Sequence, residues 1–205
     1  MPEAVVEVGK RLILASSNPG KIIEFETLLS PLGWQVESLA GYTQNQVEET
    51  APSYLENALH KARSASQLSG LPAIADDSGL EVDELHGLPG VRSARFAGEN
   101  ANDQQNLEFL LRKLSGVPDH RRSACFRCLM VYLQRPEDPA PVVVQGIWQG
   151  RILDAPRGRG GFGYDPVFYI PEQDRSAAEL SPEAKNRFSH RGQAVRALVA
   201  HLSNV

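Results

Sequence analysis

Short apolar runs alternate with amphipathic helical segments over the first 80 residues, and this order limits the fold more than any other feature. The runs RLILA (11–15), WQVESL (34–39) and AIAD (73–76) predict buried strands. Apolar residues at helical spacing follow the first run, and the capping-box spacing of Ser53 and Glu56 predicts a second helix that begins near residue 54. The order β-α-β-α-β favours an α/β fold in which strands lie between helices and ligands bind at strand ends.

The remaining chain predicts a mixed sheet. Two long alternating segments, SACFRCLMVYLQ and PVVVQGIWQGRIL, flank the turn residues RPEDPA and are typical of a hairpin. A helix capped by Asn102 precedes the hairpin, and a glycine-rich turn, the strand PVFYI and one or two helices follow it. The 205 residues, with 41% apolar content, suit a single domain.

Charge and hydropathy exclude several classes of partner. The net charge is −4 and no block of five like charges occurs, so we expect no nucleic-acid partner. No apolar stretch is long enough to span a bilayer and no secretory leader is evident, so we expect no membrane partner and a cytoplasmic location. Cys125 and Cys128 fall in an alternating pattern that indicates strand packing rather than a redox or metal pair.

Two acidic pairs are candidates for metal chemistry. Asp76 and Asp77 end the apolar run AIAD, and Glu48 and Glu49 precede the second helix. Either pair could be an ordinary turn or a solvated loop. Adjacent carboxylates repel, however, and a divalent cation carrying substrate phosphates would remove that repulsion, so the two pairs could share one ion.

The segment SSNPGK is a candidate phosphate-binding turn. Asn18 can cap the first helix with Pro19 at its first position, and the free N–H groups of a helix N-terminus bind anions. Lys21 would be unfavourable in the first turn of a helix unless it met an anion. The motif lacks the Walker A pattern, so a P-loop enzyme is disfavoured, and a plain capped turn remains the alternative.

The segment GRGGFGYD is a candidate nucleobase site. Glycines allow the backbone to approach a ligand, and the Phe162 ring offers a stacking surface, although a tight loop with Phe162 in the core explains the pattern equally well. Near the C-terminus, Lys185, Ser189, His190 and Arg191 could donate hydrogen bonds to phosphate or to a purine carbonyl.

Taken in order, these motifs resemble the inosine triphosphate pyrophosphatase family. The resemblance runs from LILASSNPGK through EETAPSYLENALHKAR, LPAIADDSGLEVDELHGLPGVRSARFAG and GGFGYDPVFYIP to AAELSPEAKNRFSHRGQA, with residues 1–10 as an N-terminal extension. It implies an elongated mixed sheet with a cleft between two lobes, a homodimer, and Mg²⁺-dependent hydrolysis of ITP, dITP and XTP to the monophosphate and pyrophosphate.

The resemblance also implies roles for individual residues. Asp77 corresponds to the proton acceptor and a metal ligand, Glu48 to a metal ligand, and Asp76 and Glu49 are further candidate ligands. The implied substrate contacts are Ser16, Ser17, Asn18, Pro19, Gly20, Lys21, Ser78, Phe162, Gly163, Tyr164, Asp165, Lys185, His190 and Arg191.

Three other functions remain open from the sequence. The chain could be a nucleotide pyrophosphatase with another base preference, a phosphatase that releases orthophosphate stepwise, or a nucleotide-sensing protein without turnover. The acidic residues argue against a sensor, which needs phosphate donors but no carboxylate to activate water.

Overall fold

A computed structural model describes residues 10–16, 18–43, 47 and 49–202. Across these residues the chain forms seven strands and five α-helices. The strands are β1 Lys10–Leu14, β2 Trp34–Ser38, β3 Ala73–Val82, β4 Ser123–Leu133, β5 Val142–Ile152, β6 Phe168–Ile170 and β7 Arg175–Ser176. The helices are α1 Pro19–Leu29, α2 Tyr54–Ser69, α3 Asp103–Lys113, α4 Pro182–Phe188 and α5 His190–Leu202.

All seven strands belong to one sheet with the order β2-β1-β3-β4-β5-β6-β7. β1 runs parallel to both β2 and β3, and every other neighbouring pair is antiparallel. The long strands β4 and β5 form the expected hairpin. The predicted α/β fold with an elongated mixed sheet flanked by helices is therefore confirmed.

Local sequence signals explain where the two site-bearing helices begin. The side chain of Asn18 accepts a hydrogen bond from the Lys21 N–H at 3.2 Å, and Pro19 takes the first helical position of α1. At α2 the hydroxyl of Ser53 accepts from the Glu56 N–H at 3.3 Å. Both caps were predicted, because capping depends on residues within one turn of the helix start.

Helices cover the two faces of the sheet unequally. On one face, α1 and α5 pack against the sheet in an apolar cluster that includes Leu12, Phe25, Met130 and Val195. A second apolar cluster on the same face contains the buried leucines of α3. On the opposite face α2 packs through its alanines against β1, β3 and the end of β4. None of the described helices is long and apolar enough to cross a membrane.

The expectation that a strand ends at Asp76 and Asp77 is wrong, because β3 continues to Val82. Antiparallel pairing with β4 carries the strand past both residues, with Asp76 opposite Met130 and Asp77 opposite Leu129. On the other edge, pairing with β1 stops at Ile74. The carboxylates thus lie in mid-strand, just beyond the end of β1, and the alternation of a strand directs them to opposite faces of the sheet.

Cys125 and Cys128 both lie in β4, which confirms the prediction of strand packing. Cys128 is fully buried in the cluster that contains α1 and α5. Burial raises the pKa of its thiol to about 12. The side chain therefore behaves as a small apolar group rather than as a nucleophile.

Candidate active site

A cleft of about 1450 Å³ lies beside the end of β1. Its lining comes from the turn after β1, from residues 47 and 49–52, from α2 and from the segment that contains Arg92 and Arg95. Ser16, Asn18 and Lys21 of the predicted phosphate-binding turn line this cleft, whereas Ser17 falls outside the described residues. The N-terminus of α1 therefore faces a cleft that is large enough to hold a small ligand.

Lys21 joins the phosphate-binding turn to the sheet. Its ammonium nitrogen Nζ lies 2.9 Å from Oδ2 of Asp76, and the side chain stays 17% exposed, so it reaches both the carboxylate and the cleft. A cation in the first turn of a helix opposes the helix dipole, and the carboxylate offsets that cost. The unusual placement of Lys21 thus has a partner within the protein.

Asp76 is a buried anion surrounded by donors. Oδ2 accepts from Lys21, from the hydroxyl of Ser78 at 2.8 Å and from Nε of Arg191 at 3.4 Å, while Oδ1 has no hydrogen-bond partner among the described residues. Burial disfavours the charge, but Lys21, Arg191 and Lys61 hold the pKa of Asp76 well below its usual range. Repulsion from Asp77 is thus relieved by these cations and by the opposite orientation of the two side chains.

Asp77 lies on the α2 face in a different environment. Its Oδ2 accepts from the Asn57 amide at 2.9 Å, and its Oδ1 accepts from the Ser78 N–H at 2.9 Å. Burial raises the pKa of Asp77 to about 6, against the opposite effect of Lys61. A carboxylate with a pKa near 6 is suited to accepting a proton at neutral pH.

Lys61 and Glu49 form an ion pair at the wall of the cleft. Nζ of Lys61 binds the Glu49 carboxylate and also donates to the backbone oxygen of Asp76 at 2.6 Å. Arg95 donates to the backbone oxygen of Glu49 at 2.5 Å from the other side. Glu49 is thus bound through its side chain by Lys61 and through its backbone oxygen by Arg95. Glu48 lies outside the described residues.

The predicted nucleobase residues form a second group, on the α5 face. Oδ2 of Asp165 accepts from the Phe162 N–H at 2.9 Å and from Nζ of Lys185 at 2.7 Å. Nζ of Lys185 lies 4.4 Å from the Phe162 ring centroid, and the Arg191 guanidinium carbon lies 5.8 Å from it. Phe162 is only partly buried, so the ring is not simply a core residue.

His190 lies beside this group and is buried. Its ring stacks on Phe126 with centroids 4.9 Å apart, and its Nδ1 is buried without a hydrogen bond among the described residues. Burial, together with the charges of Arg191 and Lys185, lowers the pKa of His190 well below 6.5. The imidazole is therefore neutral at physiological pH.

Asp76 and Gly20 connect the two groups. Asp76 binds Lys21 on one side and Arg191 on the other. A Cβ added at Gly20 would lie 3.3 Å from the Phe162 ring, so the phosphate-binding turn packs directly against the predicted nucleobase loop. The sequence-predicted residues thus meet in one region, although neither the carboxylates of Asp76 and Asp77 nor the group around Phe162 lines the large cleft.

Two residues of this network were not identified from the sequence. Glu24 accepts from Arg191 and lies 3.7 Å from Nζ of Lys185, and Asn57 links Asp77 to both backbone groups of Ala51. Glu24 is three residues after Lys21, and Asn57 is four residues before Lys61. Helical spacing from Lys21 was the available signal for Glu24, whereas Asn57 and Lys61 showed only that they share a helical face.

The fold and the site define an α/β protein in which a helix N-terminus and two buried carboxylates lie beside the end of a parallel strand, the place where α/β proteins commonly bind phosphorylated ligands. A family model described as the Ham1 family matches residues 12–201. The chain belongs to this family.

Similar proteins span nearly the whole chain. A dITP/XTP pyrophosphatase of Vibrio parahaemolyticus is 50% identical over 194 residues, which are 95% of this chain and 97% of that protein. A dITP/XTP pyrophosphatase of Pectobacterium atrosepticum is 50% identical over 195 residues, which are 95% of this chain and 99% of that protein. The predicted family relationship is confirmed.

A solved structure of a HAM1 protein from Coxiella burnetii is similar in fold as well as in sequence. It has a TM-score of 0.88 and 43% identity, and the match covers 95% of this chain and 99% of that one. A dITP/XTP pyrophosphatase structure from Mycobacterium abscessus has a TM-score of 0.73 and 44% identity, covering 92% and 98% of the two chains.

Proposed function

We propose that this protein hydrolyses ITP, dITP and XTP to the nucleoside monophosphate and pyrophosphate. The observation that carries the proposal is the junction at Asp76, where one carboxylate joins the phosphate-binding turn to the predicted nucleobase residues. Relatives of about 50% identity that are named dITP/XTP pyrophosphatases support the same activity. Removal of these nucleotides would keep non-standard purines out of the nucleotide pool.

The triphosphate would bind at the N-terminus of α1. The free N–H groups there and the Lys21 ammonium are donors for phosphate oxygens, and both lie at the cleft. In the transition state they would neutralise charge that develops on those oxygens. Ser78, whose hydroxyl now donates to Asp76, is a further substrate contact in this proposal.

Asp77 would be the proton acceptor for the attacking water. Its pKa of about 6 leaves it ionised at neutral pH yet basic enough to accept a proton. Asn57 orients the carboxylate and ties it to Ala51, which lines the cleft. Attack at the α-phosphorus then releases pyrophosphate, whereas attack at the γ-phosphorus would release orthophosphate.

The acidic residues fit Mg²⁺ that arrives with the nucleotide. The described residues contain no group of three or more His, Cys, Asp or Glu side chains placed to hold a metal ion. Mg²⁺ commonly takes only one or two carboxylates together with substrate phosphates, and Asp77 and Glu48 would supply such a pair, with Asp76 and Glu49 as further candidates. When bound, the ion would supply charge neutralisation on the phosphates.

Base selectivity would come from the group around Phe162. A nucleobase against this ring would meet donors from Arg191 and from the neutral His190 at its edge. The 6-carbonyl of hypoxanthine or xanthine accepts such hydrogen bonds, whereas the adenine amino group would leave the donors unpaired. An Arg191→Ala variant should therefore lose much of the preference for ITP over ATP, and a variant with the full preference would contradict this assignment.

Product analysis separates this function from its rivals. Purified protein with ITP and Mg²⁺ should release pyrophosphate, and the Asp77→Asn variant should release at least a hundredfold less. Equilibrium binding of ITP without any product would instead support a nucleotide sensor. Orthophosphate as the first product would support a stepwise phosphatase, and preferred turnover of pyrimidine or modified nucleotides would support another base preference.

We also propose a homodimer in the cytoplasm. On the α2 side of the sheet, Leu129 is partly exposed in β4 and Val143 is 44% exposed in β5, so this face offers apolar surface to a second copy. Sedimentation equilibrium should give twice the chain mass. A Val143→Glu variant should sediment as a monomer, and a wild-type monomer at all concentrations would contradict the dimer.

A further inference from the structure

The loop that carries Phe162 is attached to α3 by a contact across the fold. Oδ2 of Asp103 accepts from the Gly163 N–H at 2.8 Å, although the two residues lie 60 positions apart in the chain. Gly163 has a φ of +60°, a conformation that favours glycine. Glycine has more backbone freedom than other residues, and this hydrogen bond restrains the loop at that glycine.

Helix capping does not account for Asp103. Asn102 caps α3, since its side chain accepts from the Gln105 N–H at 2.9 Å while the Gln105 side chain accepts from the Asn102 N–H at 2.8 Å. Asp103 occupies the following position, and its carboxylate extends to the loop instead. An acid in the first turn of a helix also interacts favourably with the helix dipole, which adds to the stability of Asp103 at this position.

Two carboxylates from different parts of the chain thus accept hydrogen bonds from consecutive backbone N–H groups of the loop. Asp165 binds the N–H of Phe162, and Asp103 binds the N–H of Gly163. Both peptide units that flank the Phe162 side chain are hydrogen-bonded, and the ring packs close to Gly20 with the Lys185 ammonium 4.4 Å from its centroid. Asp165 is itself anchored by Lys185, so Asp103 supplies an independent second anchor.

We propose that Asp103 is a positioning residue for the nucleobase, acting by holding the Phe162 loop in place. This inference rests on the proposed function, because it assumes that the base lies against Phe162. Loss of the anchor would let the loop populate other positions and would weaken recognition of the base. The phosphate-binding turn would be unaffected, because Asp103 has no described contact with it.

The test compares Asp103→Ala with Asp103→Asn, which keeps an acceptor oxygen, and with Glu108→Ala as a control. Glu108 lies on the same helix, is exposed and bonds only Gln104 among the described side chains. Asp103→Ala should raise KM for ITP about three- to tenfold and change kcat less than about twofold. Asp103→Asn should stay close to the unaltered protein, and Glu108→Ala should match it.

Two further measurements separate positioning from general damage. Inhibition by inorganic tripolyphosphate, which has no base, should be the same in all variants. Hydrogen exchange of the loop amides at Phe162 and Gly163 should be faster in Asp103→Ala than in the unaltered protein, and it should be unchanged in Asp103→Asn and Glu108→Ala. Unchanged KM and unchanged loop exchange in Asp103→Ala would overturn the inference, as would an equal loss of tripolyphosphate inhibition.

The exchange measurement also distinguishes failure of this inference from failure of the proposed function. If the unaltered protein releases no pyrophosphate from any nucleotide, the proposed function fails and the nucleobase role fails with it. Faster loop exchange in Asp103→Ala would then still show that Asp103 anchors the loop. Active protein with unchanged loop exchange would refute the anchor alone.

Discussion

Replacing Asp77 by Asn should stabilise the metal-free fold at neutral pH while it removes activity. Asp77 is only 4% exposed, and burial raises its pKa from 3.8 to about 6. The folded protein therefore binds this proton more tightly than the unfolded chain does. The contribution of Asp77 to stability is greatest below pH 3.8 and is lost as the pH rises through about 6, at a total cost of about 3 kcal/mol.

The Asn variant avoids this cost but loses a hydrogen bond. The carboxylate accepts from Asn57 and from the Ser78 N–H, and an Asn side chain can keep one acceptor, so the loss is about 1 kcal/mol. The variant should then be about 2 kcal/mol more stable at pH 8. About half of the ionisation cost remains at pH 5, so the advantage there should fall to about 0.5 kcal/mol.

Urea denaturation in the presence of a chelator, at pH values from 5 to 8, measures this difference. Asp138→Asn is a suitable control, because backbone hydrogen bonds from Gln134 and Ala140 lower the pKa of Asp138 and reverse the expected sign. A free-energy difference between Asp77→Asn and the unaltered protein that is the same at pH 5 and pH 8 would refute the reasoning.

Two more substitutions test the junction between the phosphate-binding turn and the nucleobase loop. Lys21→Met should destabilise the fold by about 2 kcal/mol, measured by urea denaturation, because buried Asp76 loses its closest cation; an unchanged midpoint would show that the pair contributes nothing. Gly20→Ala should raise KM for ITP about threefold, because the new methyl group lies 3.3 Å from the Phe162 ring. The control is Gly41→Ala, since a Cβ at Gly41 meets no atom within 4 Å, and equal KM values for the two variants would contradict the contact.

Features that depend on neighbouring residues were predictable from the sequence. The caps at Asn18 and Ser53 and the hairpin around residues 134–141 follow from local turn and capping preferences. An anionic partner for Lys21 was indicated as well, since a lysine in the first turn of a helix is unfavourable unless it meets an anion, and the structure supplies Asp76 as that partner.

Features set by pairing across the sheet were not predictable in the same way. The strand with Asp76 and Asp77 continues because β4, about 50 residues later, pairs with it through those positions. The prediction of a strand end came from the local change from apolar to acidic residues, which cannot reveal a distant partner. The contacts of Asp103 and Glu24 share this origin, because both partners come from other segments of the fold.

The most direct test of the central claim is a time course with ITP, XTP, GTP and ATP, with and without Mg²⁺, in which pyrophosphate and orthophosphate are assayed separately. The account predicts Mg²⁺-dependent release of pyrophosphate that is largely confined to ITP and XTP. Release of orthophosphate, or equal turnover of all four nucleotides, would contradict it.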